Sequence, residues 1–328
     1  MTNLKKIGLT ALAASLVATS AFAGALSVSG GAKISHTTKG GNEDGITAAT
    51  SQGSPFGLQK SIGFSGSGEL DNGHTVSLYH GTAGGGSHSS SILTYDMGDA
   101  GTIVYHDTSA ALGIAKIDDL MPTADEEIWN GVGGTPVGRT NGPGTGFNYT
   151  NTSMDGVRVD IGYGSKSTGN ESDDGGTSGA GGQKSASSIA IQYTGIDGAN
   201  IFAGTGSKGA AAGAETDLDT YGFTYTMGAI TVGYQMNEDD TGRASTNTKY
   251  ENTMYSVTFS VNDDLSIGYN HVESDRLSTT NVTAEADSIQ AAYTMGGATI
   301  RIAEVDVENQ AYGTADYEAT ILSMGLAF

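Results

Sequence analysis

The chain has 328 residues, a formal net charge of −21 and no cysteine, which excludes a disulfide framework and thiol chemistry. The acidic balance argues against nucleic acid as a partner and against charge-driven binding to anionic lipid, and it favours attraction of cations. Fifty-one glycines with only four prolines are far from the composition of collagen.

The chain begins with the pattern of a secretory signal peptide. Lys5 and Lys6 precede an apolar run over residues 7–18, and Ala21-Phe22-Ala23 has the small residues of a cleavage site. We therefore expect residues 1–23 to be removed and residues 24–328 to form one domain. The alternative, an uncleaved signal-anchor helix, needs about 20 apolar residues, and this run is shorter.

After the signal, sixteen short stretches alternate apolar and polar residues, and tight and long connections join them in turn. Asn-Gly and Asp-Gly pairs supply the positive φ that hairpin turns require. The predicted tight turns are at 71–73, 98–101, 155–156, 197–198, 227–229, 262–264 and 296–297. The predicted long loops are at 37–56, 84–87, 108–144, 167–184, 208–216, 238–249, 275–284 and 306–315.

This pattern predicts an all-β fold, a transmembrane antiparallel β-barrel of 16 strands with short turns on one rim and long loops on the other. Val157, Ile161 and Tyr163 are expected to face lipid, with Arg158 facing the lumen. Tyr and Phe near strand ends suit aromatic girdles at the two interfaces. A soluble β-sandwich shows equally good alternation, but it explains neither the signal peptide nor the regular placement of the long loops.

The predicted outward face of the first two strands is smooth and weakly aromatic. It consists of Leu26, Val28, Ala32, Ile34, Ile62, Phe64, Gly66 and Gly68. Such a face suits either packing against another barrel or an ordinary lipid surface with glycine bends.

The loop at 108–144 is the longest, and it is partly apolar and strongly acidic. A loop exposed to water gains nothing from its apolar residues, which include Ile114, Ile117 and Trp129. We expect it to fold into the barrel, bury these residues on the wall and aim carboxylates into the channel, where they attract cations. The candidate constriction residues are Asp118, Asp119, Asp125, Glu126 and Glu127. The alternative is an acidic surface loop with a short helix over residues 109–120.

Other chemistry has little support in the sequence. The scattered histidines lack a zinc spacing, no P-loop is present, and no catalytic constellation accompanies the serines, so neither a cofactor nor an enzyme is predicted. Some acidic loop residues offer oxygen ligands for weak Ca²⁺ binding, but without the spacing of a complete Ca²⁺ loop, and solvated loops are the alternative. They are Asp173, Asp174, Glu238, Asp239, Asp240, Asp263 and Asp264.

The chain resembles the general diffusion porins of Gram-negative outer membranes, especially the alphaproteobacterial branch. The resemblance is carried by the start of the mature chain at 24–30, by residues 64–73 and 97–100, and by the terminal Phe328. It implies an outer-membrane homotrimer formed through the first strands, a third long loop that makes the constriction, and Phe328 as the assembly signal. The chain lacks the Pro-Glu-Phe-Gly motif of enterobacterial constriction loops.

The same resemblance implies basic residues on the wall opposite the acidic loop. Lys33 and Arg301 have inward parity on the first and fifteenth predicted strands. Arg158 also has inward parity, and it is expected close to the loop, where it pairs with the loop carboxylates. Lys60 has outward parity and is not a candidate.

We therefore expect a porin that passes ions and small hydrophilic solutes through a water-filled, mildly cation-selective pore, with outer-membrane lipid around it. Three alternatives stay open at this point: a solute-specific channel, a surface barrel that acts as a receptor or adhesin, and a barrel enzyme. Single-channel conductance separates the pore from the receptor, and saturation of the current by one solute identifies a specific channel.

Overall fold

The computed structural model describes residues 26–41, 54–107, 111–126, 145–164, 185–209, 215–241 and 248–327. The predicted signal peptide and Phe328 lie outside these ranges. The strands are β1 (Ser27–Gly41), β2 (Phe56–Glu69), β3 (Thr75–Thr82), β4 (His88–Asp96), β5 (Thr102–His106), β6 (Gly146–Asn151), β7 (Val157–Gly164), β8 (Ala186–Tyr193), β9 (Ala199–Gly209), β10 (Glu215–Met227), β11 (Ile230–Asp240), β12 (Lys249–Ser260), β13 (Leu265–Leu277), β14 (Val282–Met295), β15 (Ala298–Glu308) and β16 (Tyr317–Ala327). Short 3₁₀ turns lie at Gly84–Gly86, Gly98–Ala100, Gly113–Lys116 and Gln310–Tyr312.

These strands form one closed antiparallel barrel in which each strand pairs with its neighbours in the chain. The last strand closes on the first, from Gly31 opposite Ala327 to Gly41 opposite Tyr317. Closure removes the unpaired strand edges that an open sheet would leave. The predicted fold class and strand number are confirmed.

The short turns lie where the sequence predicted them, each joining an even-numbered strand to the next odd-numbered one. Gly156 and Gly198 adopt φ values of 68° and 74°, in the left-handed region that glycine enters without steric cost. The long connections lie at the opposite ends of the strands.

Among the described residues, no helix is long and apolar enough to cross a membrane.

The outer surface of the barrel is an apolar belt. Along β7, Ile161 and Tyr163 are exposed, while the alternate residues Asp160 and Gly162 are buried. The same alternation, with aromatic residues in the outward positions, runs through β10 to β14. On the first strands Val28, Ile34 and Ile62 are likewise exposed. A surface this apolar is stable against hydrocarbon rather than water, which identifies the barrel as membrane-spanning.

Above this belt, the outward positions near the long-loop ends of β10–β16 are acidic. Many of these carboxylates stand directly opposite one another in the register, as Glu285 does with Glu308 and Asp287 with Asp306. Lys249 compensates locally, with its Nζ 2.8 Å from both Glu238 and Glu251. The apolar belt therefore ends in a negatively charged rim, which we call the outer acidic rim.

The inner wall is polar with apolar patches. Buried residues of β12–β16 form one such patch, with Met121 and Tyr317 packed against it. Its members are Met254, Val272, Ala286, Ala303, Val305, Val307, Ala319 and Ile321. A strand that is apolar on both faces requires an apolar partner on each side. On the inner side Met121, which belongs to the third long loop, packs against the patch.

Candidate functional site

The described part of the third long loop, residues 111–126, packs on the inner wall. We call it the third-loop segment. Leu112, Ile114 and Ile117 are fully buried, and Ile117 packs with Ala190 of β8 and Phe202 of β9. Burying each of these side chains contributes about 1.5–3 kcal/mol relative to exposure. Their burial is the expected result for the apolar content of this loop.

Glycine allows the segment to approach the wall closely. Gly113 has a φ of 56°, and a Cβ at that residue would lie 2.2 Å from Ser188 Oγ. A Cβ on Gly162 of β7 would lie 2.6 Å from the Gly113 backbone nitrogen. A side chain at either position would therefore displace the segment. A 3₁₀ turn at Gly113–Lys116 lies within residues 109–120, for which the surface-loop alternative predicted a longer helix.

Side chains of the wall hold the backbone at the beginning of the segment. The Gly113 amide donates to Asn148 Oδ1 at 2.7 Å, and the Ile114 amide donates to Ser188 Oγ at 3.0 Å. Asn148 is also hydrogen-bonded through its Nδ2 to Asp160 Oδ1 at 3.0 Å. These bonds satisfy backbone groups that burial would otherwise leave without partners.

Two amide side chains of β11 hold the middle of the segment. Gln235 Nε2 donates to the Ile117 carbonyl at 2.8 Å, and Gln235 Oε1 accepts from the Leu120 amide at 3.2 Å. Asn237 Nδ2 donates to the Asp118 carbonyl at 3.1 Å. Both amide side chains are completely buried.

Gln290 of β14 holds the end of the segment through three hydrogen bonds. Its Oε1 accepts from the amides of Ala124 at 3.1 Å and Asp125 at 2.8 Å, and its Nε2 donates to the Glu126 carbonyl at 2.8 Å. None of these amide anchors was predicted from the sequence. The sequence feature that could have identified these anchors is an Asn or Gln at an inward position of an otherwise alternating strand.

The end of the segment meets two of the three predicted basic residues. Lys33 Nζ lies 2.8 Å from Glu126 Oε1, and Arg301 Nε lies 3.8 Å from Asp125 Oδ1. The latter separation is too long for a hydrogen bond, and Asp125 Oδ1 is buried without a hydrogen-bond partner. At this end of the segment, acidic loop residues therefore lie directly beside basic residues of the wall.

Arg158 does not pair with a described loop carboxylate. Its Nε and Nη2 donate to Asp160 of the same strand at 2.6 and 3.1 Å, and Asp160 is almost completely buried. The expectation that Arg158 pairs with the loop carboxylates is corrected for the described residues. The reason is local, because residues two apart on a strand share a face and Asp160 is the nearer acid.

The other predicted acidic residues have different positions. Asp118 and Asp119 are half-buried in the middle of the segment. Glu127, Asp173 and Asp174 lie outside the described residues, as does Phe328. Within the described ranges no three His, Cys, Asp or Glu side chains come together as metal ligands.

Burial perturbs two ionisable groups of the segment. It raises the pKa of the Asp125 carboxyl, an effect that Glu126 reinforces and Arg301 and Lys33 oppose. Burial also lowers the pKa of the Lys116 ammonium, with Asp160 opposing the shift and Arg158 adding to it. Lys116 is therefore a basic group close to the Arg158 pair, and the sequence analysis did not single it out.

No protein-family model matches the sequence, and no curated protein matches it. Solved structures do share its fold. OmpT, an outer membrane protein of Vibrio cholerae, superimposes with a TM-score of 0.68 at 11% identity over 92% of this chain and 97% of that chain. The anion-selective porin from Comamonas acidovorans gives a TM-score of 0.64 at 13% identity over 93% and 99%. Salmonella typhi OmpF in complex with daunomycin gives 0.66 at 15% identity over 92% and 97%. At these identities the likeness establishes a shared barrel architecture.

Proposed function

We propose that this protein is an outer-membrane porin that passes ions and small hydrophilic solutes through a water-filled lumen. The observation that carries the proposal is the third-loop segment held on the inner wall of a closed 16-strand barrel. A barrel of this strand number leaves an aqueous channel rather than a packed core. The segment is proposed to narrow that channel along its path, which runs from contacts with β6 to contacts with β14 and β1.

The same segment supports a mild preference for cations. Lys33 and Arg301 lie beside Glu126 and Asp125 and offset their charge. Cation attraction is assigned to the acidic residues of this loop as a group, with Asp118 and Asp119 in the middle of the segment, within a chain of net charge −21. A carboxylate steers ions only where the pore is narrow, because salt screens charge over about 8 Å at physiological ionic strength.

A planar-bilayer recording with a salt gradient tests this function. Neutralising Asp118, Asp119, Asp125, Glu126 and Glu127 to Asn or Gln is expected to shift the reversal potential toward anions, more strongly at low salt. Neutralising Glu238, Asp239 and Asp240 is the control and is expected to have a much smaller effect. An equal response from the two sets would show that net charge sets the selectivity. Absence of conductance in the unmodified protein would refute the proposed pore.

The signal peptide and the apolar belt support insertion into the outer membrane of a Gram-negative cell, with lipid around the barrel. The motifs at 24–30, 64–73 and 97–100 support the alphaproteobacterial type of porin. Phe328 is proposed to promote assembly. Phe328 is apolar and directly follows β16, the strand that closes the barrel on β1, so its deletion removes an apolar side chain next to that strand in the sequence.

We further propose a homotrimer that packs through the outer face of β1 and β2. One solved structure of Vibrio cholerae OmpT with the same fold is described as a trimer form. Lys60 adds support, because it points outward and is exposed between Leu58 and Ile62. A lysine that faces hydrocarbon is destabilising by an amount that grows with its depth in the bilayer, so this face is better suited to a protein partner than to lipid.

A further inference from the structure

A hollow lies in the inner wall beside the closure of the barrel. It has a volume of about 340 Å³ and is formed by β15, β16, β1 and β2. Gly31 and Gly325 contribute no side chain to it. A Cβ added to Gly325 would lie 3.8 Å from Arg301 Nη1, so a larger side chain there would enter the space in front of the guanidinium. The volume suits a small solute.

Arg301 presents unused hydrogen-bond donors to this hollow. Its side chain is 30% exposed, and its only ion pair in the described part of the chain is the 3.8 Å approach to Asp125. That separation is beyond hydrogen-bond range, and the guanidinium makes no hydrogen bond to any described residue. A guanidinium carries five N–H donors in a planar fork that matches a carboxylate in two parallel hydrogen bonds.

The remaining lining is mixed, with the apolar residues Ala32, Leu326 and Ala327 beside polar side chains that suit hydroxyl groups. Gln59, Ser61 and Thr299 line the hollow together with Lys33. Lys33 Nζ lies 2.8 Å from Glu126 Oε1, so the Lys33 side chain is fixed in position and its charge is offset by Glu126. An amide and two hydroxyls both donate and accept hydrogen bonds, as recognition of a polyhydroxylated solute requires.

We propose that this hollow is a binding subsite for a small hydroxylated carboxylate, whose carboxylate pairs with Arg301 and whose hydroxyls contact Gln59, Ser61 and Thr299. The inference rests on the proposed pore, because the solute reaches the hollow through the lumen. It coexists with a mild cation preference, since Arg301 recognises a carboxylate by hydrogen bonds at contact distance, whereas the carboxylates of the third-loop segment act on passing ions within the screening length of about 8 Å.

The test is a planar-bilayer recording in KCl with gluconate as the probe and glucose as its uncharged counterpart. Gluconate is expected to reduce the current in a saturable manner, and glucose is expected to produce no saturable block. Arg301→Lys keeps the charge but loses the planar fork of N–H donors. It is expected to weaken gluconate binding about tenfold, because one charge-assisted hydrogen bond is lost. Gly325→Val fills the hollow without removing a charge, and it is expected to weaken binding as well.

Arg276→Lys is the matched control. Arg276 belongs to β13 and lies over the Tyr312 ring, with its Cζ 5.2 Å from the ring centroid, and it does not line the hollow. Gluconate binding is expected to be unchanged in this variant. Equal weakening by Arg276→Lys and Arg301→Lys would overturn the subsite, as would block by glucose or the absence of saturable block in a conducting protein. Absence of KCl current would instead refute the pore, and if Gly325→Val does not fold, the two arginine variants decide the question.

Discussion

At the scale of single residues, neutral amide side chains hold the middle and the end of the third-loop segment. Gln235 and Gln290 each bond the backbone of the segment through both ends of the amide. A neutral amide donates and accepts in the same place without the desolvation cost of a buried charge. The ion pairs of Lys33 and Arg301 are found only at the end of the segment, beside Gln290.

Replacing Gln290 with Leu is expected to release the end of the segment. Three hydrogen bonds are lost, and each contributes roughly 1 kcal/mol, with a further cost where a buried amide is left unpaired. The barrel itself is expected to stay folded, because the strand ladders are untouched. Single-channel recording should show a noisier current with more than one conductance level.

Gln192→Leu provides the control for this experiment. Gln192 lies on β8 with inward parity and makes no hydrogen bond among the described side chains. Its variant is expected to conduct like the unmodified protein. A steady current of unchanged size from Gln290→Leu would mean that Gln290 does not position the segment.

At the scale of elements, negative charge is concentrated at one end of the strands. The apolar belt is neutral, whereas the outer acidic rim places carboxylates in register across β10–β16. The rim consists of Asp217, Asp219, Glu238, Asp240, Glu251, Glu273, Asp275, Glu285, Asp287, Glu304, Asp306, Glu308 and Glu318. Like charges directly opposite on neighbouring strands are destabilising.

Glu308→Gln is therefore expected to raise the melting temperature of the barrel in detergent at low salt. It removes the repulsion with Glu285, which is worth several tenths of a kcal/mol. The gain should shrink in about 1 M salt, where the screening length is about 3 Å. Thermal unfolding followed by gel mobility measures both conditions.

Glu251→Gln is the contrasting variant, because Glu251 Oε1 is 2.8 Å from Lys249 Nζ. Removing this carboxylate loses an attraction along with the repulsion, so no comparable gain is expected. If the two variants respond alike to salt, the register of the charges is irrelevant and only net charge matters.

At the scale of the whole molecule, the outer surface is uneven around the barrel. The outward positions of β10–β14 carry many tyrosine rings, such as Tyr221, Tyr255 and Tyr293, whereas β1 and β2 present mainly aliphatic residues and glycines, with Phe56, Phe64 and Lys60 among them. A membrane surrounds a lone barrel uniformly, so an uneven surface suits an oligomer with one protein-facing side and one lipid-facing side.

Replacing Gly66 and Gly68 with Phe is expected to separate the proposed trimer into monomers. A Cβ at Gly66 meets no atom within 4 Å, so the barrel itself accepts the larger side chain while the neighbouring subunit does not. Mass measurement in mild detergent gives the oligomeric state. Ala291→Phe, on the outward face of β14, is the control and is expected to leave the mass unchanged. A single-chain mass for the unmodified protein would rule out the trimer.

The strands, the short turns and the lipid-facing residues were predictable from the sequence, because side-chain alternation and turn chemistry are properties of a few consecutive residues. The apolar content of the third long loop likewise predicted its burial, as Ile114 and Ile117 show. Among the described residues Arg158 pairs with Asp160, its neighbour on the same face of the strand, rather than with a loop carboxylate.

Only the tertiary structure decided which distant residues meet. The amide of Gln290, the contact of Lys33 with Glu126, and the hollow in front of Arg301 join residues from separate parts of the chain. The opposition of Glu285 and Glu308 depends on the register between two strands in the same way. Alternation tells each side chain which face of the sheet it occupies, but barrel closure and strand register determine its neighbours on that face.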